Sequence, residues 1–228
     1  MPGNVTRASA ALLALGALAY TAWVLEVLVR TGLDPVRTYV SELAAADQPL
    51  GAFFRTTDLV SGALVLAGAV LGAIGTRRPR RPWALLGWGA LALFGAATVA
   101  DSRLPLSCAA TADPACAARE TAGLVPATHT AHAVSSGLAM TGALVALVAL
   151  TLAARRYGRW PPLARTGPVV VALELAATVW TLAAVAAFEA GHGTWALGAA
   201  QRAQVLLLAG WLALLAYSLA TTAPEETP

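Results

Sequence analysis

DSRLPLSCAATADPACAARETAGLVPATHTAHAVSS, Asp101 to Ser136, holds both cysteines and two of the three histidines of the chain. The sequence on either side of it is apolar over lengths that cross a bilayer. Of 228 residues, 58% are hydrophobic and 12% charged, whereas soluble domains carry roughly 25% charged residues. So little charge reads as a polytopic membrane protein, with this stretch as a polar cap over one end of its helices. All 15 basic residues are arginine. They are dispersed, so the net charge of +3 points to no nucleic-acid partner. Zinc-finger, phosphate-loop and dinucleotide spacings are absent.

Working outward, residues 83–100 precede the cap and 129–153 follow it, each an apolar run. Beyond them lie further runs at 58–76 and 8–29 on one side, and at 167–188 and 197–219 on the other. About 20 residues rising 1.5 Å each span a hydrocarbon core of about 30 Å. The expectation is an all-α fold: one domain over residues 1–228, an integral membrane bundle of six transmembrane helices with an extracytoplasmic cap loop. Ala17-Leu18-Ala19 has the small-residue spacing of a leader cleavage site, but apolar character continues past it to Val29. Between the first two runs, VRTYVSELA (residues 36–44) predicts a short amphipathic helix on the membrane surface. The polar tail after Leu219 is expected to fray.

Six crossings put both termini on one side. That side receives 9 arginines, Arg77 to Arg81 and Arg155 to Arg165 among them, and the other side 6. The positive-inside rule then makes both termini cytoplasmic in a multi-pass plasma-membrane protein, with the cap outside. Cys108 and Cys116 share the cap with seven residues between them. An oxidising compartment favours a disulfide there, the alternatives being two thiols or a metal pair.

The outer helix ends collect ionisable residues. Asp58 begins the second run, Asp101 ends the third, and His129 and His132 begin the fourth on a shared face, with Ser136 one turn on. Glu189 and His192 lie in the last external turn, Gln201 and Arg202 open the sixth run, and Ser41 and Glu42 approach from the first external segment. Their similar depth predicts one pocket just below the external surface. Two histidines with one or two of the aspartates suit a zinc ion that activates water. Acid–base work by His129 or His132, oriented by Asp58 or Asp101, needs no metal. Plain helix-end ion pairs and hydrogen bonds are the structural alternative. Glu174, with Thr178 and Thr181, forms an intramembrane polar stripe that suits a proton relay or a bond to a neighbouring helix. Glu26 lies four residues before Arg30, at ion-pair spacing, unless it turns into the bundle. Arg119 and Glu120 read as residues that dock the loop, with Asp47 or Asp101 as partners, and Trp23, Trp83, Trp160 and Trp195 as an aromatic belt.

In order, TYVSELA, FRTTDLVSG, DSRLPLSC with DPACAARE, HTAHAVSS and QRAQVLLLAGW resemble the bacterial membrane family called domain of unknown function 998. The resemblance covers nearly the whole chain and implies a multi-span membrane protein, common in actinobacteria, without an established activity. The family's external segment usually reads F-P-x-D-C, whereas Ser107 stands before Cys108 here. Ser41, Asp58, His129, His132 and His192 are also similar in kind to the zinc-binding set of alkaline ceramidase-type membrane hydrolases, in a different order and spacing. The functional expectation is a pocket for a membrane lipid or amphipathic small molecule. The alternatives are a metal- or histidine-dependent hydrolase and a proton-coupled transporter built on Glu174.

Overall fold

The computed structural model describes residues 2–75 and 81–221, so the arginines from Arg77 to Arg80 and the polar tail after Thr221 lie outside the described residues. Its helices are α1 (Pro2–Tyr20), α2 (Gly51–Gly75), α3 (Pro82–Asp101), α4 (Pro114–Thr121), α5 (Ala127–Arg156), α6 (Pro161–Glu189) and α7 (Leu197–Thr221), with 3-10 turns at Ala22–Val27 and Val40–Ala44. Six of these segments are long and apolar enough to cross a membrane, the first being α1 with its 3-10 continuation, Gly3–Val27. The protein is therefore an all-α bundle of six candidate membrane spans, and α4 belongs to the cap.

The long helices pack as a closed ring. α1 lies on α2, α2 on α3, α3 on α5, α5 on α6, α6 on α7, and α7 returns to α1. Lipid supplies no hydrophobic drive between apolar helices, so association rests on close packing that small residues permit. A Cβ on Gly62 would stand 2.8 Å from the Gly95 carbonyl oxygen, and one on Gly142 would stand 2.8 Å from the Ala90 oxygen. Around these contacts Leu13, Val65, Trp88, Phe94, Leu147 and Leu212 form a continuous buried layer.

Three expectations are corrected. α2 begins at Gly51, directly after the Pro49 turn, so Asp58 sits about two turns inside a helix rather than at its start. The stretch 36–44 yields only the 3-10 turn Val40–Ala44, and Glu42, Leu43 and Ala44 are buried against Phe54 instead of lying on the membrane surface. Trp83 and Trp195 are exposed as a belt requires, but Trp160 is buried edge-on against Trp88 at 6.0 Å, and Trp23 faces an internal cavity.

The cap is a compact unit. Cys108 and Cys116 form a disulfide, both sulfurs lying in a small buried cluster with Ala110. Asp113 caps α4 by accepting the Ala115 N–H at 2.9 Å, and Pro114 occupies the first helical position, where its missing N–H costs nothing. The Ala46 N–H donates to the Leu106 carbonyl at 2.8 Å and ties the cap to the first external segment.

The α3–α5 contact gives a direct test. Gly142→Ala places a methyl group against backbone and should destabilise by roughly 1–3 kcal/mol. Gly89→Ala, where a Cβ meets nothing within 4 Å, should leave stability unchanged or slightly raised. Thermal unfolding of both variants in detergent measures this, and equal melting temperatures would refute the close-packed seam.

Candidate functional site

Beneath the cap, the outer halves of the helices enclose a cavity of about 420 Å³, within the range of small-molecule sites. Asp58 reaches it from α2, Asp101 from the last turn of α3, His132 and Ser136 from α5, Glu189 from the end of α6, and Ser41 from the segment between α1 and α2. Residues far apart in sequence thus converge on one space. Its remaining wall is largely apolar and aromatic.

One end of the cavity carries a hydrogen-bonded trio. The Oδ1 of Asp101 accepts from the hydroxyl of Ser136 at 3.0 Å and from that of Ser135 in a short contact, and lies 3.2 Å from Nδ1 of His132. The same Nδ1 lies 3.0 Å from the Leu104 carbonyl oxygen. Two acceptors face this nitrogen, so the ring proton belongs there and Nε2 presents a lone pair. Nε2 stands 3.3 Å from the Ser136 hydroxyl. The spacing that puts residues 132 and 136 on adjacent turns thus places hydroxyl, imidazole and carboxylate in series.

Several residues expected in the site serve elsewhere. His129 is not in the cavity wall: its Nδ1 accepts the Ser107 N–H at 3.0 Å, which leaves the ring proton on Nε2, 3.4 Å from Glu120. Glu42 is buried as a fastener of the cap, accepting the Tyr39 N–H at 3.0 Å, the Thr111 N–H at 2.7 Å and the Thr111 hydroxyl in a short contact. Burial pushes its carboxyl above the ordinary range, and these hydrogen bonds only partly oppose that. His192 is exposed in the α6–α7 turn and lines nothing. Arg202 is buried and held by Glu26 at 2.6 and 2.7 Å, with the Thr38 carbonyl oxygen at 2.8 Å. Glu26 accordingly turns into the bundle and does not pair with Arg30. Arg119 donates to the Cys108 sulfur at 3.4 Å, and Glu120 meets His129, so neither docks on Asp47 or Asp101.

Glu174 is buried in α6 below the cavity and is not part of its wall. Neither carboxyl oxygen has a hydrogen-bond partner among the described residues. The neighbouring Gln204, which does line the cavity, donates to Thr178 at 2.8 Å. Among the described residues no group of three or more His, Cys, Asp or Glu side chains could hold a metal ion. The zinc set therefore does not assemble: His129 and His192 are outside the cavity, and only His132 accompanies the two aspartates. Reading charges and histidines alone missed the aromatic wall, which includes Tyr20 and Tyr39. Its signal was their position, in the second half of the first apolar run and two residues before Ser41.

These features define a six-span helical membrane bundle with a disulfide-stapled cap over a polar-ended cavity. The family described as Protein of unknown function (DUF998) matches the chain over residues 13–218. The chain belongs to that family. No curated protein and no solved structure matches it.

The Glu26–Arg202 pair carries a quantitative expectation. Glu26→Gln leaves a buried guanidinium without its counter-charge and should cost about 3–5 kcal/mol, whereas an apolar pair of similar volume, Glu26→Leu with Arg202→Met, should recover most of it. Thermal unfolding of the single and double variants measures the difference. A double variant no more stable than Glu26→Gln would show that the pair is not the element joining these segments.

Proposed function

We propose that this chain is a plasma-membrane protein with both termini in the cytoplasm, and that its extracytoplasmic-side cavity binds a lipid or another amphipathic small molecule. The observation that carries this reading is one cavity whose wall holds both the polar Asp58, Asp101, His132 and Ser136 and the apolar or aromatic Tyr20, Phe54, Met140 and Phe188. A ligand with a polar head and a greasy body matches both surfaces at once. A wholly polar ligand would leave the aromatic wall wet.

Mass spectrometry of protein extracted in mild detergent should find one amphipathic compound retained near stoichiometry. Ala139→Phe, which fills the cavity from α5, should lower that retention at least about tenfold with little loss of thermal stability. Protein that retains nothing, with or without the substitution, would defeat the reading. For orientation, alkaline phosphatase fused after the C-terminus should be inactive and a green fluorescent reporter there should fluoresce. The reverse pattern would invert the topology.

A second reading, a histidine-dependent hydrolase without metal, is favoured by one observation. Ser136, His132 and Asp101 form a hydroxyl–imidazole–carboxylate series at 3.3 and 3.2 Å, all three facing the cavity. In the tautomer set by Leu104, Nε2 is the base that accepts the Ser136 proton, and Asp101 orients the ring. The Ser136 hydroxyl also donates to Asp101, so attack on a carbonyl or phosphoryl centre requires it to rotate toward Nε2. A fluorophosphonate probe should then label Ser136 in the wild type and not in His132→Ala. Absence of labelling in folded wild-type protein would leave the binding reading alone.

A further inference from the structure

The charges around the cavity are of one sign. Asp58, Asp101, Glu120 and Glu189 line it, and among the described residues no arginine does. Three arginines beside the cap are committed elsewhere, Arg202 to Glu26, Arg55 to the carbonyls of Ala44 and Ala45, and Arg119 to the Cys108 sulfur, and Arg103 is exposed outside the cavity wall. An incoming phosphate or carboxylate would meet four carboxylates and, among the described residues, no arginine in the wall. A negative field at the mouth is also felt by Tyr39, whose phenol is pushed up by burial and further by the charges of Glu189, Glu42 and Glu120.

The acids do not stand alone. Tyr20, Trp23, Tyr39, Phe54 and Phe188 form the aromatic part of the wall. The negative faces of aromatic rings attract cations, most strongly in a desolvated site. Asp101 already takes Ser135, Ser136 and His132 on its Oδ1, and Glu120 faces His129. Asp58 differs from both. It lines the cavity two turns below the start of α2, and its carboxylate has no hydrogen-bond or ion-pair partner among the described residues. A half-buried carboxylate at that depth, in the wall of a cavity it shares with aromatic rings, is poised for a counter-charge that the described residues do not provide.

The cavity also meets the lipid-facing surface. On α5, Ala133 lines it and is nevertheless exposed, and Gly137, one turn on, has open space where a side chain would be. On α6, Val185 and Phe188 form the opposite lip. At the inner end the same two helices close tightly, a Cβ on Gly167 falling 2.7 Å from Thr151. The α5–α6 seam thus parts toward its outer half, where a ligand's apolar body can enter from the bilayer.

We infer that the cavity selects a cationic amphipath, an apolar body bearing one organic cation such as a substituted ammonium group, with Asp58 as its counter-ion and the tyrosine and phenylalanine rings around the charge. This rests on the binding reading above and narrows it to one class of ligand.

Three probes of nearly one shape separate the elements of this claim. Tetraphenylphosphonium is a cation, tetraphenylborate its anionic counterpart, and triphenylphosphine oxide neutral. Equilibrium dialysis against purified full-length protein in a non-ionic detergent, corrected for empty micelles, should show tetraphenylphosphonium binding at least roughly tenfold more tightly than either of the others. Asp58→Asn should remove that preference, and Asp58→Glu should retain it. Equal binding of all three probes, or a preference for the borate, would overturn cation selection and leave an amphipath site standing. Failure of all three to bind would overturn both. A preference that survives Asp58→Asn would overturn the role given to Asp58.

Discussion

The outer half of this molecule depends on one buried ion pair. Arg202 enters near the start of α7, where a guanidinium facing hydrocarbon would be untenable, and both oxygens of Glu26 meet it while the Thr38 and Gly198 carbonyls take one of its remaining donors. That set joins the 3-10 end of the first span, the first external segment and the last helix. Gly198 allows the segment to lie on α7, because a Cβ there would stand 2.5 Å from the Pro35 and Thr38 oxygens. Gln201 completes the attachment by accepting the Val40 N–H at 2.8 Å. The segment from Arg30 to Leu50 is therefore a lid built into the fold.

The cavity follows from how the ring closes. Glycine and alanine bring α2, α3 and α5 into backbone contact and fill the inner half with Trp88, Phe94, Leu147 and Leu150. Toward the outside, the helices carry hydroxyls and carboxylates that gain nothing from close apolar packing. Asp101 collects its donors from α5, and the space between it and Asp58 stays open. The polar groups and the void share one cause: the residues that cannot be buried in lipid are those that keep the outer half from being packed solid.

The six spans were legible because bilayer thickness fixes their length and the charged interruptions fix their ends. What hydropathy could not give was the start of α2. Arg55, Thr56, Thr57 and Asp58 look like loop by composition, yet Arg55 donates to the Ala44 and Ala45 carbonyls and both threonine hydroxyls bond back to their own helix. The eight-residue α4 was legible in principle from Asp113-Pro114, a capping residue followed by proline at the first position, but the cysteines drew the reading toward a bare disulfide loop. In the site, reading by helix-end position grouped Ser41, Asp58, Asp101, His132 and Ser136, and these five line one cavity. Depth does not tell which way a side chain turns, and for that reason His129, Glu42, His192 and Arg202 were grouped with them although each faces elsewhere.

The two histidines show how three residues of helix can divide two tasks. His129 lies one turn nearer the cap, where Ser107 places an N–H and a hydroxyl against Nδ1 at 3.0 and 2.9 Å, so its other nitrogen is directed at Glu120 of α4. His132 lies one turn deeper, where only acceptors surround Nδ1, so the other nitrogen is left with a lone pair toward Ser136. An aspartate at position 107, the residue the family pattern leads one to expect, would face His129 with an acceptor in place of a hydroxyl that can donate or accept. The imidazole would then gain an ion-pair partner on its Nδ1 side in addition to Glu120, and the change would fall on how the cap is fastened. It would leave the Asp101–His132–Ser136 series untouched, since none of those three contacts Ser107 or His129. Variation at Ser107 thus falls first on the His129–Glu120 fastening of the cap, while the link from cap to cavity chemistry runs through the Leu104 carbonyl on His132.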